Sequence, residues 1–258
     1  MPVFGLGVYQ ISGRPAMEAV KFALGIGYRL IDTASLYGNE NEVGVAIRDS
    51  GIPRKDLFVT TKLWNSDQGY DKALRAFDQS VKLLGLEYVD LYLIHWPVPS
   101  LRKESWDALA KLQKEGRCRA IGVSNYTVRH LEELLDHSDV VPSVNQVEFN
   151  PFLYQKELLD FCNEKGIQLE AWGPLTRGAR LRHRVIVDMA RRYSRSPAQI
   201  IIRWSLQRDV VVIPKSSKPE RIRENSQVFD FEISRDDMTK MDFLSEDLHT
   251  GWDPTDEP

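Results

Sequence analysis

Apolar residues along the chain come in short runs at near-regular intervals, separated by longer amphipathic stretches. Eight runs read as strands: Val3–Val8, Tyr28–Asp32, Leu57–Lys62, Val89–Ile94, Arg119–Val123, Ser143–Val147, Ile167–Ala171 and Val210–Ile213. They are short, rich in β-branched residues and free of long alternation, as parallel strands covered on both faces require. Between them the apolar spacing lengthens to three and four residues. Ala73, Leu74, Phe77, Val81 and Leu84 place one apolar stripe on a helix over Tyr70–Leu84, and Trp106–Leu112 and Leu153–Phe161 read similarly. Gly25 and Gly27, Gly51, Gly85, Gly116 and Gly166 each close a helical stretch shortly before the next strand.

Strand–helix units joined by right-handed crossovers build either an open doubly wound sheet or a closed barrel. Eight such units in 258 residues predict the barrel: a single α/β domain of the (β/α)8 TIM-barrel type spanning residues 1–258. No Pro/Ser linker, low-complexity tract or charge block divides the chain. The first strand begins almost at Met1, so the N-terminal plug of many barrels is missing from this sequence and the floor is expected to be poorly covered.

Composition then narrows the partners. The 34 Lys and Arg against 37 Asp and Glu leave no basic surplus for a phosphate backbone, so no nucleic acid is expected. Cys118 and Cys162 form no disulfide framework and suit a reducing compartment. No apolar run approaches the roughly 18 residues of a membrane span. Met1-Pro2-Val3-Phe4 leads straight into structured sequence without a cleavable leader, so a soluble, cytoplasmic protein with no membrane contact is expected.

In such a barrel the chemistry sits at the C-terminal ends of the strands, which turns the strand assignments into a residue list. Asp32 closes the second strand and Tyr37 follows it; Lys62 closes the third and His95 the fourth. Ser124 and Asn125 follow the fifth, Gln146 and Glu148 end the sixth, Trp172 follows the seventh, and Lys215 and Ser216 follow the eighth. The strand interiors read as apolar. Singly, each residue has an ordinary structural role: Asp32 as a salt-bridge acid with Lys62, Tyr37 as a loop aromatic, His95 as a satisfied interior histidine. As a group they converge on one rim, which independent structural roles do not explain.

A tyrosine is a poor acid at neutral pH unless its anion is stabilised. A lysine ammonium beside it lowers that cost, an aspartate keeps the lysine charged, and a histidine on the adjoining strand can hydrogen-bond a substrate oxygen. This set suits protonation of a carbonyl oxygen while another species attacks the carbon. No Ser or Cys nucleophile pairs with His95, and no metal-ligand spacing is present, so no metal is expected. The attacking species has to be brought in, and hydride from a nicotinamide fits. The run Ile213–Asn225, with its Lys, Ser and Arg at a helix start, suits a phosphate; a solvated basic helix start is the plainer alternative. Gly5-Leu6-Gly7 lacks the third glycine and spaced acid of a dinucleotide fingerprint and reads as a turn.

These residues resemble the aldo-keto reductases over practically the full length. Gly27-Tyr28-Arg29-Leu30-Ile31-Asp32-Thr33-Ala34 with Leu36-Tyr37-Gly38-Asn39-Glu40, then Ile121-Gly122-Val123-Ser124-Asn125-Tyr126, then Ile213 through Asn225 look like the family's three patterns in order; Thr61-Lys62-Leu63-Trp64 and Ile94-His95-Trp96-Pro97 add the remaining strand ends. The resemblance implies the barrel, reduction of aldehydes and ketones to alcohols, and NADPH in preference to NADH. It makes Tyr37 the general acid, Lys62 and Asp32 its support, and His95 the residue that orients the carbonyl. It implies that Ser124, Asn125 and Gln146 hold the carboxamide and Trp172 stacks on the nicotinamide. Gly173, Pro174 and Leu175 fall near the pyrophosphate, while Lys215, Ser216, Arg221, Glu224 and Asn225 fall at the adenosine end. Trp64-Asn65-Ser66-Asp67-Gln68-Gly69-Tyr70 and Gly251-Trp252-Asp253-Pro254 resemble the shorter prostaglandin F synthase-like and 2,5-diketo-gluconate reductase-like members. Tyr9, Trp64, Trp96 and Trp252 are expected to line an apolar pocket, left open by a short loop after Trp96 and a short tail, with a broad range of small carbonyl substrates extending to prostaglandin-type or sugar-derived compounds. Monomers are usual among similar proteins. The competing readings are a cofactor-binding regulatory or structural protein with little turnover, and an unrelated lyase or isomerase.

Overall fold

Each of the eight apolar runs forms a strand in the computed structural model, which describes residues 1–255. The strands are β1 (Gly5–Gly7), β2 (Leu30–Asp32), β3 (Phe58–Leu63), β4 (Val89–Ile94), β5 (Cys118–Ser124), β6 (Val144–Glu148), β7 (Gln168–Trp172) and β8 (Val211–Val212). Each pairs in parallel with the next, in the order β1 to β8. The two edges meet through parallel bridges from Phe4 to Val212 and from Gly7 to Lys215, which bring the sheet round into a barrel. The helices are α1 (Gly13–Gly25), α2 (Glu40–Asp49), α3 (Tyr70–Leu84), α4 (Arg102–Lys114), α5 (Val128–His137), α6 (Lys156–Lys165), α7 (Arg184–Tyr193), α8 (Pro197–Leu206), α9 (Pro219–Ser226) and α10 (Arg235–Asp242). α3 has the bounds its apolar stripe predicts, and Gly85 ends it in the left-handed conformation at φ 65°.

Alternation along the strands divides the molecule into two packed regions. Outward residues such as Ile31, Val59, Tyr92, Ile94, Ile121 and Val123 join the helix faces in the main core. Inward residues fill the lower barrel: Leu30, Val211 and Ile213 form one cluster and Leu91, Leu93 and Val144 another, with Phe58 against both. The expectation of apolar strand interiors fails at Glu170 on β7, which is buried beside the level of Asp32 and Lys62 at the ends of β2 and β3, themselves buried. A polar layer therefore lies on an apolar floor.

Gly5-Leu6-Gly7 is strand, not a turn. A Cβ on Gly5 would lie 2.1 Å from Leu30 Cδ2 on β2, and one on Gly7 2.9 Å from the Ile213 carbonyl oxygen, so Gly5 makes room for the Leu30 side chain and Gly7 permits close strand approach at the seam. Among the described residues no hairpin precedes β1. Met1 and Val3 are exposed, Phe58 at the foot of β3 is half-buried, and Phe4 is covered by Tyr28 and Phe229 at ring separations of 5.1 and 6.1 Å. Gly44 marks the tightest helix contact, since a Cβ there would lie 2.1 Å from the Leu84 carbonyl oxygen at the end of α3. Gly44→Ala is expected to force α2 off α3 at a cost of about 3 kcal/mol, seen as a lower denaturant midpoint at unchanged slope. An unaltered midpoint contradicts that packing.

Candidate active site

β2, β3 and β4 end side by side, and their last inward side chains meet. Lys62 Nζ donates to Asp32 Oδ1 at 2.6 Å and to the Thr33 carbonyl oxygen at 2.9 Å, and it lies 3.4 Å from Tyr37 Oη. Lys62 is fully buried, and an ammonium survives burial only when paired and hydrogen-bonded in this way. Burial alone would lower its pKa, but Asp32 and Tyr37 outweigh burial and raise it, so the ammonium persists. Tyr37 comes from a single 3₁₀ turn, Ser35–Tyr37, pinned by Ser35 Oγ donating to the Lys62 carbonyl oxygen at 3.0 Å.

The Tyr37 ring is part-exposed while its hydroxyl sits among protein atoms. The sequence reading expects Lys62 to make this phenol more acidic. Burial is the larger effect; Lys62 pulls the other way, Asp32 offsets part of that pull, and the phenol is pushed up to about 12. The hydroxyl therefore stays protonated throughout the neutral range. His95 is held well below the usual imidazole range, first by burial and then by Lys62, so its ring is neutral. Its Nδ1 is buried without a partner, and its ring meets Tyr37 edge-on at 5.7 Å and Trp64 at 5.1 Å.

The ends of β5, β6 and β7 complete the rim. Asn125 adopts φ 63°, a left-handed conformation that asparagine tolerates better than most residues. That places its amide to brace three strands: Nδ2 donates to the His95 carbonyl oxygen at 2.9 Å and Ser124 Oγ at 3.1 Å, and Oδ1 accepts from Trp172 Nε1 at 2.8 Å. Ser124 Oγ donates to the Gln146 carbonyl oxygen at 2.8 Å. Gln146 Nε2 donates to Asp32 Oδ2 and Glu170 Oε2, each at 2.8 Å. Both amide protons are thus spent, and among the described residues Gln146 Oε1 accepts no hydrogen bond. Glu170 is fully buried; burial, with Asp32 adding to it, pushes its carboxyl up to about 8.

One carboxylate, Glu170, is absent from the strand-end residues read in the sequence, and a second, Glu148, is present among them without its partner. Glu170 had a legible sign, a charge two residues before Trp172 on the same strand face. Glu148 was placed at the end of β6, but its partner is distant in sequence. Its carboxylate accepts from the backbone N–H groups of Thr250, at 3.0 Å, and Gly251, at 3.2 Å, and from the Thr250 hydroxyl. It therefore straps the tail across the rim, with Trp252 on Trp96 at a ring separation of 4.7 Å. The tail is short but not loose. Glu148→Ala is expected to free it, seen as at least about tenfold faster amide hydrogen exchange at Thr250 and Gly251. Unchanged exchange at both amides contradicts the strap.

Tyr9 is largely exposed, and its ring lies 5.0 Å from that of Tyr37, at the mouth rather than in the core. Trp64 and Trp96 are half-buried beside His95. Gly173, Pro174 and Leu175 lead from β7 into a short 3₁₀ turn. At the other side of the rim, Ser216 Oγ accepts from the Lys218 N–H at 3.1 Å just before α9. Lys215, Lys218 and Arg221 are exposed there, and among the described residues none is in an ion pair. Asn225 is buried, and Glu224 is half-buried on the same helix.

A nicotinamide dinucleotide fits these residues. The idle Gln146 Oε1 is an acceptor for a carboxamide N–H, the half-buried Trp172 offers a ring whose plane Asn125 fixes, and three unpaired cations at a helix start suit phosphate. Among the described residues no cluster of His, Cys, Asp and Glu is arranged to hold a metal ion, and no helix is long and apolar enough to cross a membrane.

An eight-stranded barrel with this rim belongs to a class of oxidoreductases that act on carbonyl compounds. The chain is a member of the aldo/keto reductase family, whose pattern matches residues 3–246. It is 53% identical to a glyoxal reductase of Bacillus subtilis over 98% of this chain and 92% of that protein. It is 48% identical to a 9,11-endoperoxide prostaglandin H2 reductase of Trypanosoma cruzi, over 98% of this chain and 91% of that protein. Among solved structures, a point mutant of Gox0644 in complex with NADPH superimposes with a TM-score of 0.94 at 44% identity, covering 100% of this chain and 95% of that one.

Proposed function

We propose that this protein is an NADPH-dependent reductase of small aldehydes and ketones, with Tyr37 as the proton donor and the chain acting as one catalytic unit. The observation that carries this reading is the Lys62 ammonium, buried between Asp32 Oδ1 at 2.6 Å and Tyr37 Oη at 3.4 Å and flanked by a neutral His95. Gln146, Ser124 and Asn125 would hold the carboxamide, and Trp172 would face the nicotinamide ring. Gly173, Pro174 and Leu175 would border the pyrophosphate, while Lys215, Ser216, Arg221, Glu224 and Asn225 would take the adenosine end. The unpaired cations before and within α9 favour a cofactor with the extra 2′-phosphate. Bound there, the reduced nicotinamide supplies hydride to the carbonyl carbon.

The protein supplies everything at the oxygen. His95, neutral, donates an N–H hydrogen bond that aligns the carbonyl. The Tyr37 hydroxyl gives its proton as negative charge builds on that oxygen, leaving a phenolate that Lys62 stabilises from 3.4 Å in a buried setting where charge interactions are strong. Asp32 and the Thr33 carbonyl keep Lys62 charged and in place, and solvent returns the proton to Tyr37. Tyr9, Trp64, Trp96 and Trp252 form an aromatic surround that selects apolar, unhindered carbonyls. The family kinship to a glyoxal reductase and a prostaglandin H2 reductase supports small dicarbonyl and prostaglandin-type substrates alike.

The test is a substrate panel of activated aldehydes, glyoxal-type dicarbonyls and ketones, followed at 340 nm with NADPH and NADH side by side. Turnover of aldehydes with NADPH favoured is the expected result. NADPH binding without turnover across the panel overturns the reductase reading in favour of a cofactor-binding regulatory protein.

A further inference from the structure

We propose that Glu170 is a positioning residue: from inside the barrel it fixes the plane of the Gln146 amide, so that Gln146 Oε1 faces the nicotinamide carboxamide. This rests on the nicotinamide reading above and extends it to a residue below the rim. Gln146 and Glu170 are register partners on β6 and β7, and both side chains are buried. One hydrogen bond to Asp32 Oδ2 would set the sense of the amide but leave it free to rock about that bond. The second, to Glu170 Oε2 at the same 2.8 Å, comes from a different strand and removes that freedom. Both protons then point inward, and the acceptor is left for the cofactor.

The charged groups that face Glu170 are Asp32 from β2 and Lys62 from β3; Gln146 on β6 is neutral, and β8 sets apolar Val211 beside it. Its Oε1 has no partner, so the carboxyl keeps half of its hydrogen-bonding capacity unused in a dry interior. A carboxylate is poorly tolerated there, next to Asp32, and the protonated form persists into the neutral range. The sign of the linkage follows. The unfolded chain releases this proton near pH 4.5 and the folded chain only near 8, so folding takes up a proton between those values and stability falls as pH rises through them. A neutral acid is sufficient for positioning, because it still accepts through Oε2; a glutamine can do the same.

Wild type, Glu170→Gln and Glu170→Leu are compared by two measurements: titration of the protein's tryptophan fluorescence with NADPH, and thermal unfolding without cofactor at pH 5 and pH 8. Glu170→Leu is expected to weaken NADPH binding about tenfold, and Glu170→Gln to restore it to within about twofold of wild type. Between pH 5 and 8 the wild-type Tm is expected to drop by at least about 4 °C more than that of Glu170→Gln, since only the former titrates. Unchanged NADPH affinity in Glu170→Leu, or equal weakening by Leu and Gln, overturns the positioning role. Parallel pH dependence of Tm in wild type and Glu170→Gln, a pair that differs by no more than an oxygen and an amide nitrogen, overturns the protonated carboxyl even if the Leu variant fails to fold. Absence of NADPH binding by wild type overturns the nicotinamide reading itself and this proposal with it, whereas wild-type binding with an unaffected Leu variant overturns this proposal alone.

Discussion

Tyr37→Phe is expected to lower kcat for aldehyde reduction by about 10³-fold or more while leaving NADPH affinity within about twofold of wild type. The substitution removes one oxygen and keeps the ring, with its contacts to Tyr9 at 5.0 Å and His95 at 5.7 Å. Lys62 keeps its bonds to Asp32 and the Thr33 carbonyl, so the buried ion pair survives. What is lost is the proton donor. The phenol of the free protein is a weak acid, pushed up by burial to about 12 against the pull of Lys62. It gives up its proton only when the carbonyl oxygen becomes the stronger base, and the ammonium then faces a phenolate rather than a neutral hydroxyl. The interaction strengthens as the reaction proceeds, which is what lowers a barrier rather than merely tightening binding. Steady-state assays and a fluorescence titration on the same preparation check both halves. A Phe variant within about tenfold of wild type removes Tyr37 from the mechanism.

Lys62→Met is expected to lose activity on a similar scale and, unlike Tyr37→Phe, to lose stability. Methionine fills the space of the lysine stem but leaves Asp32, which is buried, with only the Gln146 N–H to oppose its charge. Removing one partner of such a pair costs about 3–5 kcal/mol. Adding Asp32→Asn should return much of that stability, since an amide needs no counter-charge, while activity stays low because no ammonium faces Tyr37. The coupling between the two substitutions is read from a double-mutant cycle on denaturant unfolding, with kcat measured on all four proteins. Additive stability losses, or a double variant that regains turnover, contradict the arrangement.

Much of this site was legible in the sequence because a barrel turns strand ends into neighbours. Asp32, Lys62 and His95 each close or follow an apolar run, so the order of the runs alone brings the three side chains to one rim. Tyr37 lies beyond its strand, on a 3₁₀ turn, and its convergence with Lys62 was supplied by the chemistry of the set and the family resemblance rather than by periodicity. The direction of its pKa is not legible in the sequence, which shows the neighbouring charge but not the burial, and burial is the larger effect. Glu170 was overlooked for the converse reason: a lone charge in an apolar run looks like an interruption until alternation shows that it points inward beside Gln146. The Glu148 strap joins residues 102 positions apart mainly through backbone N–H groups, which carry no residue-type signature, with the Thr250 hydroxyl beside them. Gly5 and Gly7 read as a turn because glycine's use for close strand approach depends on Leu30 and Ile213, distant in sequence.

The central claim is that Tyr37 and His95 converge on one carbonyl oxygen, with Lys62 behind the phenol. The most direct measurement is a crystal structure of the protein with NADP+ and a non-reducible amide analogue of an aldehyde substrate. The predicted result is an amide oxygen within about 2.6–3.2 Å of both Tyr37 Oη and an imidazole nitrogen of His95. An analogue oxygen that contacts neither, with the cofactor in place, contradicts the account.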